Sequence, residues 1–289
     1  MEQDKYEALW LSHTKIQDYL KCPRAYYLKH IYRNPDTGNK IQLMQPPLAL
    51  GQAVHEVLES IADLPKEERF KTSLLAKLKN VWENVSGKKG GFFSDEVENQ
   101  YRREAEEMLE AVMDKPGPLK RLAVKINMEL PHYWLSKEDN FILSGKIDWL
   151  EYLPETDSVH IIDFKTGQVR NDENSLQLPI YRLLVENCQT WPVEKASYWY
   201  LRHNKMEEKK LPSSEEAKKK VMKIGKKIKL SGQLNKFPCP EGEKGCRYCR
   251  SLERIVDGEG ELIGQGKYGS DIFVLPKETT TKKKATLLW

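Results

Sequence analysis

The sequence predicts an α/β or α+β core with a helical front, and three observations carry that prediction. Up to about residue 118 the apolar residues recur mainly at helical spacing. From 121 to 165, three runs rich in Val, Ile, Phe and Trp are separated by the polar turns KEDN and PETD. Beyond them the pattern alternates helix, strand and helix.

The segment 12–32, SHTKIQDYLKCPRAYYLKHIY, opens on Ser12 as a helix cap. Cys22-Pro23 interrupts its period, which predicts two short helices meeting there. The loop NPDTGNK follows, and two prolines then introduce a helix from about Pro47 to Ile61. Helical patterns at 66–85 and 94–114 are joined by GKKGG at 87–91. RLAVKINMEL, NFILSGKIDWLEYL and SVHIIDFK read as three consecutive strands of one meander. Residues 174–188 return to helical spacing, with Leu176, Ile180, Leu183 and Leu184 on one face. KASYWYLRH at 195–203 is a fourth strand. Nine lysines between 209 and 229 stand against Glu215 and Glu216, with Val221, Ile224 and Ile228 as an apolar stripe. The helix at about 213–230 is therefore amphipathic with a cationic face, a solvated surface or a phosphate contact. The expected organisation is one domain over 1–275, with a helical front to about 118 and a core at about 119–205. A basic helix and cysteine segment follow at about 206–275, then a polar tail at 276–289.

The 289 residues carry 47 Lys plus Arg against 43 Asp plus Glu, a net charge of +4, so a nucleic-acid partner has to be argued from local sites. Nothing approaches the ~18 apolar residues of a membrane span. The start, MEQDKYEALWLSHTK, has no long apolar stretch of the secretory type. A cytoplasmic protein with no membrane partner is expected. Five cysteines in such a chain do not form a disulfide framework. No G-x-x-x-x-G-K-[ST] loop is present, which argues against a helicase in this chain.

The stretch GKIDWLEYLPETDSVHIIDFKTG is the most informative. It places Asp148 inside one predicted strand and Asp163 with Lys165 in the next. Residues two apart in a strand share a face, so Asp163 and Lys165 project together, and a hairpin register brings Asp148 beside them. Two carboxylates suit a hard cation such as Mg²⁺ or Mn²⁺, and an ammonium beside it would position water and offset charge on a phosphodiester. Taken in isolation, a D-x-K is most often an ordinary ion pair at a strand end, and it is the second carboxylate that shifts the reading.

GKID, IIDFKTG, QLPIY and the upstream GQAVHEVLE together resemble the ordered motifs of RecB-type PD-(D/E)XK nucleases. That group includes the nuclease domains of RecB and AddB and the CRISPR-adaptation nucleases. The resemblance runs from LSHTKIQDYLKCPRAYYL to the terminal cysteines. It implies a restriction-endonuclease-like fold, a mixed central sheet flanked by helices. It implies His55, Asp148 and Asp163 as metal ligands, joined by the Phe164 carbonyl, and Lys165 as the catalytic lysine. Gln177 and Tyr181 match the Q-x-x-x-Y motif and share a helix face, where they would support Lys165 or touch DNA. Glu129 is a second-tier acid.

Cys239, Cys246 and Cys249 are spaced C-x6-C-x2-C in a polar, Pro- and Gly-bearing segment, and Cys22 lies far upstream. Four thiolates suit a structural Zn²⁺ or a 4Fe–4S cluster. The resemblance implies the 4Fe–4S cluster, since iron–sulfur members have one cysteine before the nuclease core and three after it. Here the third of these, Cys239, precedes the close pair, whereas the commoner arrangement places it after. Cys188 is expected to be a bystander. In PRAYYLKHIYR, Tyr26, Tyr27 and Tyr32 would stack on single strands or pack the first helix. The resemblance implies a Mg²⁺- or Mn²⁺-dependent deoxyribonuclease, an exonuclease on single-stranded ends, in repair, recombination or CRISPR adaptation. DNA and a helicase or CRISPR-adaptation protein would be its partners. The alternatives are a non-catalytic DNA-binding module and a zinc-stabilised interaction protein.

Overall fold

A computed structural model describes residues 4–168, 174–266 and 269–276. After a short strand β1 (Leu9–Leu11), Ser12 caps α1 (His13–Lys21), its Oγ accepting from the Lys15 N–H at 3.3 Å. Cys22 is extended (φ −163°), ending α1 and starting α2 (Pro23–Tyr26), which runs into a π-helical turn at Tyr27–Ile31. The two helices therefore meet where the sequence predicts. The NPDTGNK loop leads to an unpredicted strand, β2 (Lys40–Leu43). In α3 (Pro46–Glu59) both prolines occupy the first turn, where the missing N–H has no helical partner to lose. The predicted helix at 66–85 contracts to α4 (Leu74–Trp82), capped by Ser73, because residues before it form turns. Ser94 caps α5 (Asp95–Asp114), whose first turn holds Asp95, Glu96 and Glu98 against the positive end of the helix dipole.

The predicted meander is two hairpins in two sheets. β3 (His132–Ser136) pairs antiparallel with β4 (Phe141–Ser144), and β1 lies parallel on the other edge of β4. β5 (Trp149–Leu153) pairs antiparallel with β6 (Ser158–Lys165). RLAVKINMEL supplies only an isolated bridge, Ala123 to Glu151, and is not a strand. NFILSGKIDWLEYL divides because residues 145–148 leave the sheet. α6 (Gln177–Cys188) crowds Gly145 so closely that a Cβ there would stand 2.9 Å from the Leu184 Cδ1. Asp148 consequently sits just before β5 and not within a strand.

α6 is the crossover to β7 (Val193–Tyr200), which pairs parallel with β6, and β8 (Lys205–Glu208) closes a hairpin with β7. The site-bearing sheet has the order β5-β6-β7-β8. α7 (Ser214–Gln233) opens on a capping box between Ser213 and Glu216 and fits the predicted basic helix. α8 (Arg250–Val256), β9 (Glu261–Gln265) and β10 (Ser270–Val274) follow, with β10 parallel to β2 in a third sheet. Buried Asp271 accepts from Asn34 at 2.7 Å and Asn39 at 3.0 Å, fastening the NPDTGNK loop to β10. The predicted polar tail falls, from 277 onward, outside the described residues.

The molecule is mixed α/β, as the sequence predicts. The four-stranded sheet is packed on both faces. Trp149, Ile162, Phe164 and Trp199 meet α3, α4 and α5, while Leu150, Ile161 and Tyr198 meet α6 and α7. A third cluster joins Ala25, Leu28, Ile41, Leu252 and Phe273 around four cysteines. Among the described residues no helix is long and apolar enough to cross a membrane.

Candidate active site

β6 ends in Asp163-Phe164-Lys165, and period-two geometry turns Asp163 and Lys165 to the α6 face. There α6 begins with Gln177. Its Oε1 accepts from Lys165 Nζ at 2.6 Å, and its Nε2 donates to Asp163 Oδ1 at 2.7 Å and to the Tyr181 hydroxyl at 3.2 Å. Lys165 Nζ also stands 2.6 Å from Asp163 Oδ2 and 4.9 Å from the centre of the Tyr198 ring. The carboxylate of Asp148 reaches across from the start of β5. Its Oδ2 accepts from the Phe164 N–H at 2.8 Å, and its Oδ1 lies 3.3 Å from His55 Nδ1 on α3. The Phe164 side chain is buried edge-on against His55 and Trp199, so the backbone between Asp163 and Lys165 faces Asp148. The structure thus brings His55, Asp148, Asp163, Phe164, Lys165, Gln177 and Tyr181 together.

Sequence reasoning missed Glu59. Its carboxylate and the donor atoms of His55 and Asp148 lie within 4.8 Å of one another. The signal was available: Glu59 follows His55 by four residues, one turn along the same helix face. Glu59 also pairs with Lys146, and with Asp148 and exposed Glu129 it lines a cleft of about 300 Å³.

Asp163 is 2% exposed. Burial, reinforced by the Asp148 charge, pushes its pKa up to about 7 against the pull of Lys165 and His55. Burial alone would lower His55, but the hydrogen bond and charge of Asp148, with Asp163 and Glu59 behind them, raise it. Burial, then Asp163 and Asp148, drives Tyr181 well above the ordinary tyrosine range. Buried Asp163 Oδ2 has only its ion-pair contact with Lys165 and completes no hydrogen bond. Crowded carboxylates with an unsatisfied oxygen and an adjacent imidazole fit a hard divalent cation.

The four predicted cysteines converge. All are buried, and their sulfurs lie within 4.8 Å of one another. Cys249 Sγ is 3.7 Å from Cys239 Sγ and 3.9 Å from Cys246 Sγ, distances of unbridged sulfurs. Backbone N–H groups of Ala25, Cys246 and Tyr248 donate to sulfurs of Cys22, Cys249 and Cys246 at 3.4, 3.2 and 3.4 Å. Burial pushes the Cys22 thiol up to about 11, with Cys246 and Cys239 adding to it, and raises Cys249 further. A buried four-sulfur pocket lined by N–H donors fits either a 4Fe–4S cluster or zinc. Cys188 lies apart, its Sγ near the His132 carbonyl. Tyr26 and Tyr27 pack on Phe237, so those rings belong to the fold.

Residues 10–254 match the family model of the PD-(D/E)XK nuclease superfamily, and the chain belongs to that family. Its restriction-endonuclease-like core is the β5-β6-β7-β8 sheet with its flanking helices. Among curated proteins the chain is similar to a component of the ATP-dependent helicase/deoxyribonuclease of Clostridium perfringens. Identity is 25% over 270 residues in strain SM101 and 26% over 273 residues in strain ATCC 13124, covering 80% of this chain. The match spans 22% of each of those relatives, about a fifth of their length.

Proposed function

We propose that this chain is a divalent-cation-dependent deoxyribonuclease that acts as an exonuclease on single-stranded ends. One observation carries the reading: Lys165 Nζ is held 2.6 Å from both Asp163 and Gln177, on the strand whose backbone anchors Asp148. His55, Asp148, Asp163 and the Phe164 carbonyl would hold Mg²⁺ or Mn²⁺, with Glu59 at its edge. Such a cation supplies Lewis acidity to the scissile phosphate and acidifies water. Lys165 orients the attacking water and offsets the charge that builds on phosphorus. The water oxygen bonds to phosphorus and gives up a proton to solvent as the P–O bond to the departing nucleotide breaks, and the departing oxygen takes a proton from solvent. Gln177 fixes the Lys165 ammonium, and Tyr181 fixes Gln177.

The cysteine pocket is proposed to hold a 4Fe–4S cluster, with zinc the alternative, closing one domain over 1–275. The relatives' name, a helicase/deoxyribonuclease subunit, supports DNA as the substrate and a helicase as the partner, and a cytoplasmic role in DNA repair is proposed with them. CRISPR adaptation is the other pathway in view. The test is cleavage of end-labelled single- and double-stranded DNA by anaerobically purified protein in Mg²⁺, Mn²⁺ or EDTA. Asp163→Ala and Lys165→Ala should abolish cleavage and leave the fold intact. Full activity in both variants would overturn the assignment, and binding without cleavage by the parent would favour a non-catalytic DNA-binding module. Iron, sulfide and zinc analysis of the same preparation identifies the cysteine-bound group.

A further inference from the structure

α1 lies between two cavities, and both have Thr14 and Asp18 of that helix among their lining residues. One, of about 400 Å³, opens on Lys165, Gln177 and Tyr198 and extends to Lys21. The other, of about 780 Å³, lies over β2 and the π-helical turn and carries Lys40, Arg247 and Tyr248. Lys21, Lys40 and Arg247 make no ion pair with a carboxylate among the described residues. Asp18 is already engaged by Lys29 at 2.8 Å and His30 at 2.9 Å.

The cations are crowded. Burial and then Arg33 lower the pKa of Lys40, and burial and then Lys40 lower Lys15 to about 8. Cations held near one another, with Asp18 of the shared wall already engaged by Lys29 and His30, make a site for an external anion. Tyr248 adds a second kind of contact. Half buried, its ring has the Lys21 ammonium 5.8 Å and the exposed Arg247 guanidinium 4.7 Å from its centre. A half-buried aromatic ring with cations near it offers stacking to a base and charge to the flanking phosphates, a combination that reads an unpaired strand.

We infer that a single-stranded stretch of nucleic acid, continuous with the scissile phosphate, crosses α1 from the catalytic cavity to β2, its phosphates on Lys21, Arg247 and Lys40 and a base on Tyr248. The inference rests on the nuclease reading and adds the strand's route and the residues that hold it.

The test is fluorescence anisotropy of the full chain with fluorescein-labelled oligothymidylate in EDTA at several salt concentrations. Hydrolysis of bis(p-nitrophenyl) phosphate in Mn²⁺ is followed in parallel, because that small diester reaches the catalytic cavity without the groove. Lys21→Ala with Lys40→Ala should weaken binding and reduce the salt slope by about 0.7 per lysine, and Lys40→Ala alone, outside the cavity that opens on Lys165, should leave small-diester hydrolysis unchanged. Tyr248→Ala should weaken binding roughly fivefold to a hundredfold, with Tyr248→Phe restoring it. Unchanged affinity and salt slope in the double lysine variant would overturn the route. Equal affinity for a duplex would overturn the single-strand assignment. A parent that binds through these lysines but hydrolyses no small diester keeps the groove and removes the nuclease reading.

Discussion

Replacing Gln177 by Ala separates the two halves of the site without touching a carboxylate or the lysine. Three hydrogen bonds leave with the amide: from Lys165 at 2.6 Å, to Asp163 at 2.7 Å and to Tyr181 at 3.2 Å. The Asp163 side is buried and loses the partner of Oδ1, a cost of about 1–3 kcal/mol for an unsatisfied buried acceptor. The Lys165 side chain is 30% exposed, so water replaces its lost partner and little stability goes with it. The larger effect is on rate. Untethered from α6, the ammonium keeps Asp163 Oδ2 and the Tyr198 ring face, and a displacement of about 1 Å is worth roughly 10²-fold. That is about 2.7 kcal/mol on the barrier.

The assay is steady-state cleavage of labelled single-stranded DNA by parent and Gln177→Ala, with kcat and KM resolved. A fall in kcat with little change in KM is expected. Gln177→Glu should fall at least as far, because a carboxylate at that position cannot donate to Asp163 Oδ1 and adds negative charge beside it. Wild-type kcat in Gln177→Ala would refute the positioning argument. A raised KM at unchanged kcat would assign Gln177 to DNA contact instead.

Gly225→Ala should lower the melting temperature: a Cβ would sit 2.8 Å from Leu11 Cδ1 and 3.0 Å from Phe141 Cε2, both fully buried, and about 1–3 kcal/mol of overpacking exceeds the ~1 kcal/mol helix gain. A raised melting temperature would show that the α7 contact with β1 and β4 can relax. Cys22→Ser should reduce the metal content of purified protein and its thermal stability together, since one ligand comes from the front and three from the C-terminal segment; normal metal content would exclude Cys22 as a ligand. Buried Glu151 would be raised by burial alone, but His160 at 3.0 Å and Arg121 at 2.6 Å hold its carboxyl below the usual range. A depressed folded pKa contributes stability above the unfolded value that is lost as pH falls through the folded one. Glu151→Gln should therefore be less stable than parent at neutral pH, with the gap narrowing in melts below about pH 4.5; a constant gap would contradict the linkage.

The candidate site was legible because its geometry is local. Asp163 and Lys165 share a strand face by period two, and Gln177 and Tyr181 share a helix face by spacing four. The cysteines were legible through chemistry, as buried sulfur is out of place in a segment as polar as FPCPEGEKGC. The failures were non-local. β1 and β2 are three and four residues long, too short for a periodic signal. Each exists because a distant strand, β4 or β10, lies parallel beside it. RLAVKINMEL has strand composition, yet β5 gives it only the bridge at Ala123. The break at 145–148 comes from α6 pressing on Gly145, a contact that no run of residues within NFILSGKIDWLEYL reveals. Glu59 went unread because its significance depends on Asp148 coming within reach.

The division into helical front and catalytic core, natural from the sequence, does not survive as a division of labour. Asp148, Asp163, Lys165, Gln177 and Tyr181 lie within 119–205, but His55 and Glu59 come from α3. α1, about 13 Å long by its nine residues, supplies a wall of the cavity that opens on Lys165. Its first residue, His13, lines that cavity beside Lys165; burial and then the Lys165 charge push its pKa down to about 4, so it presents a neutral imidazole. Its cap, Cys22, enters the four-sulfur pocket, and buried Asp18 midway is fastened to Lys29 and His30 of the π-helical turn. A helix held at both ends and in the middle moves as a unit. α1 therefore joins the cysteine pocket at Cys22 to the wall facing Lys165. A fragment cut to 119–205 would keep the D-x-K motif but lose that wall, His55 and the β1 edge of the β4 hairpin, and with them the environment that gives the motif its chemistry.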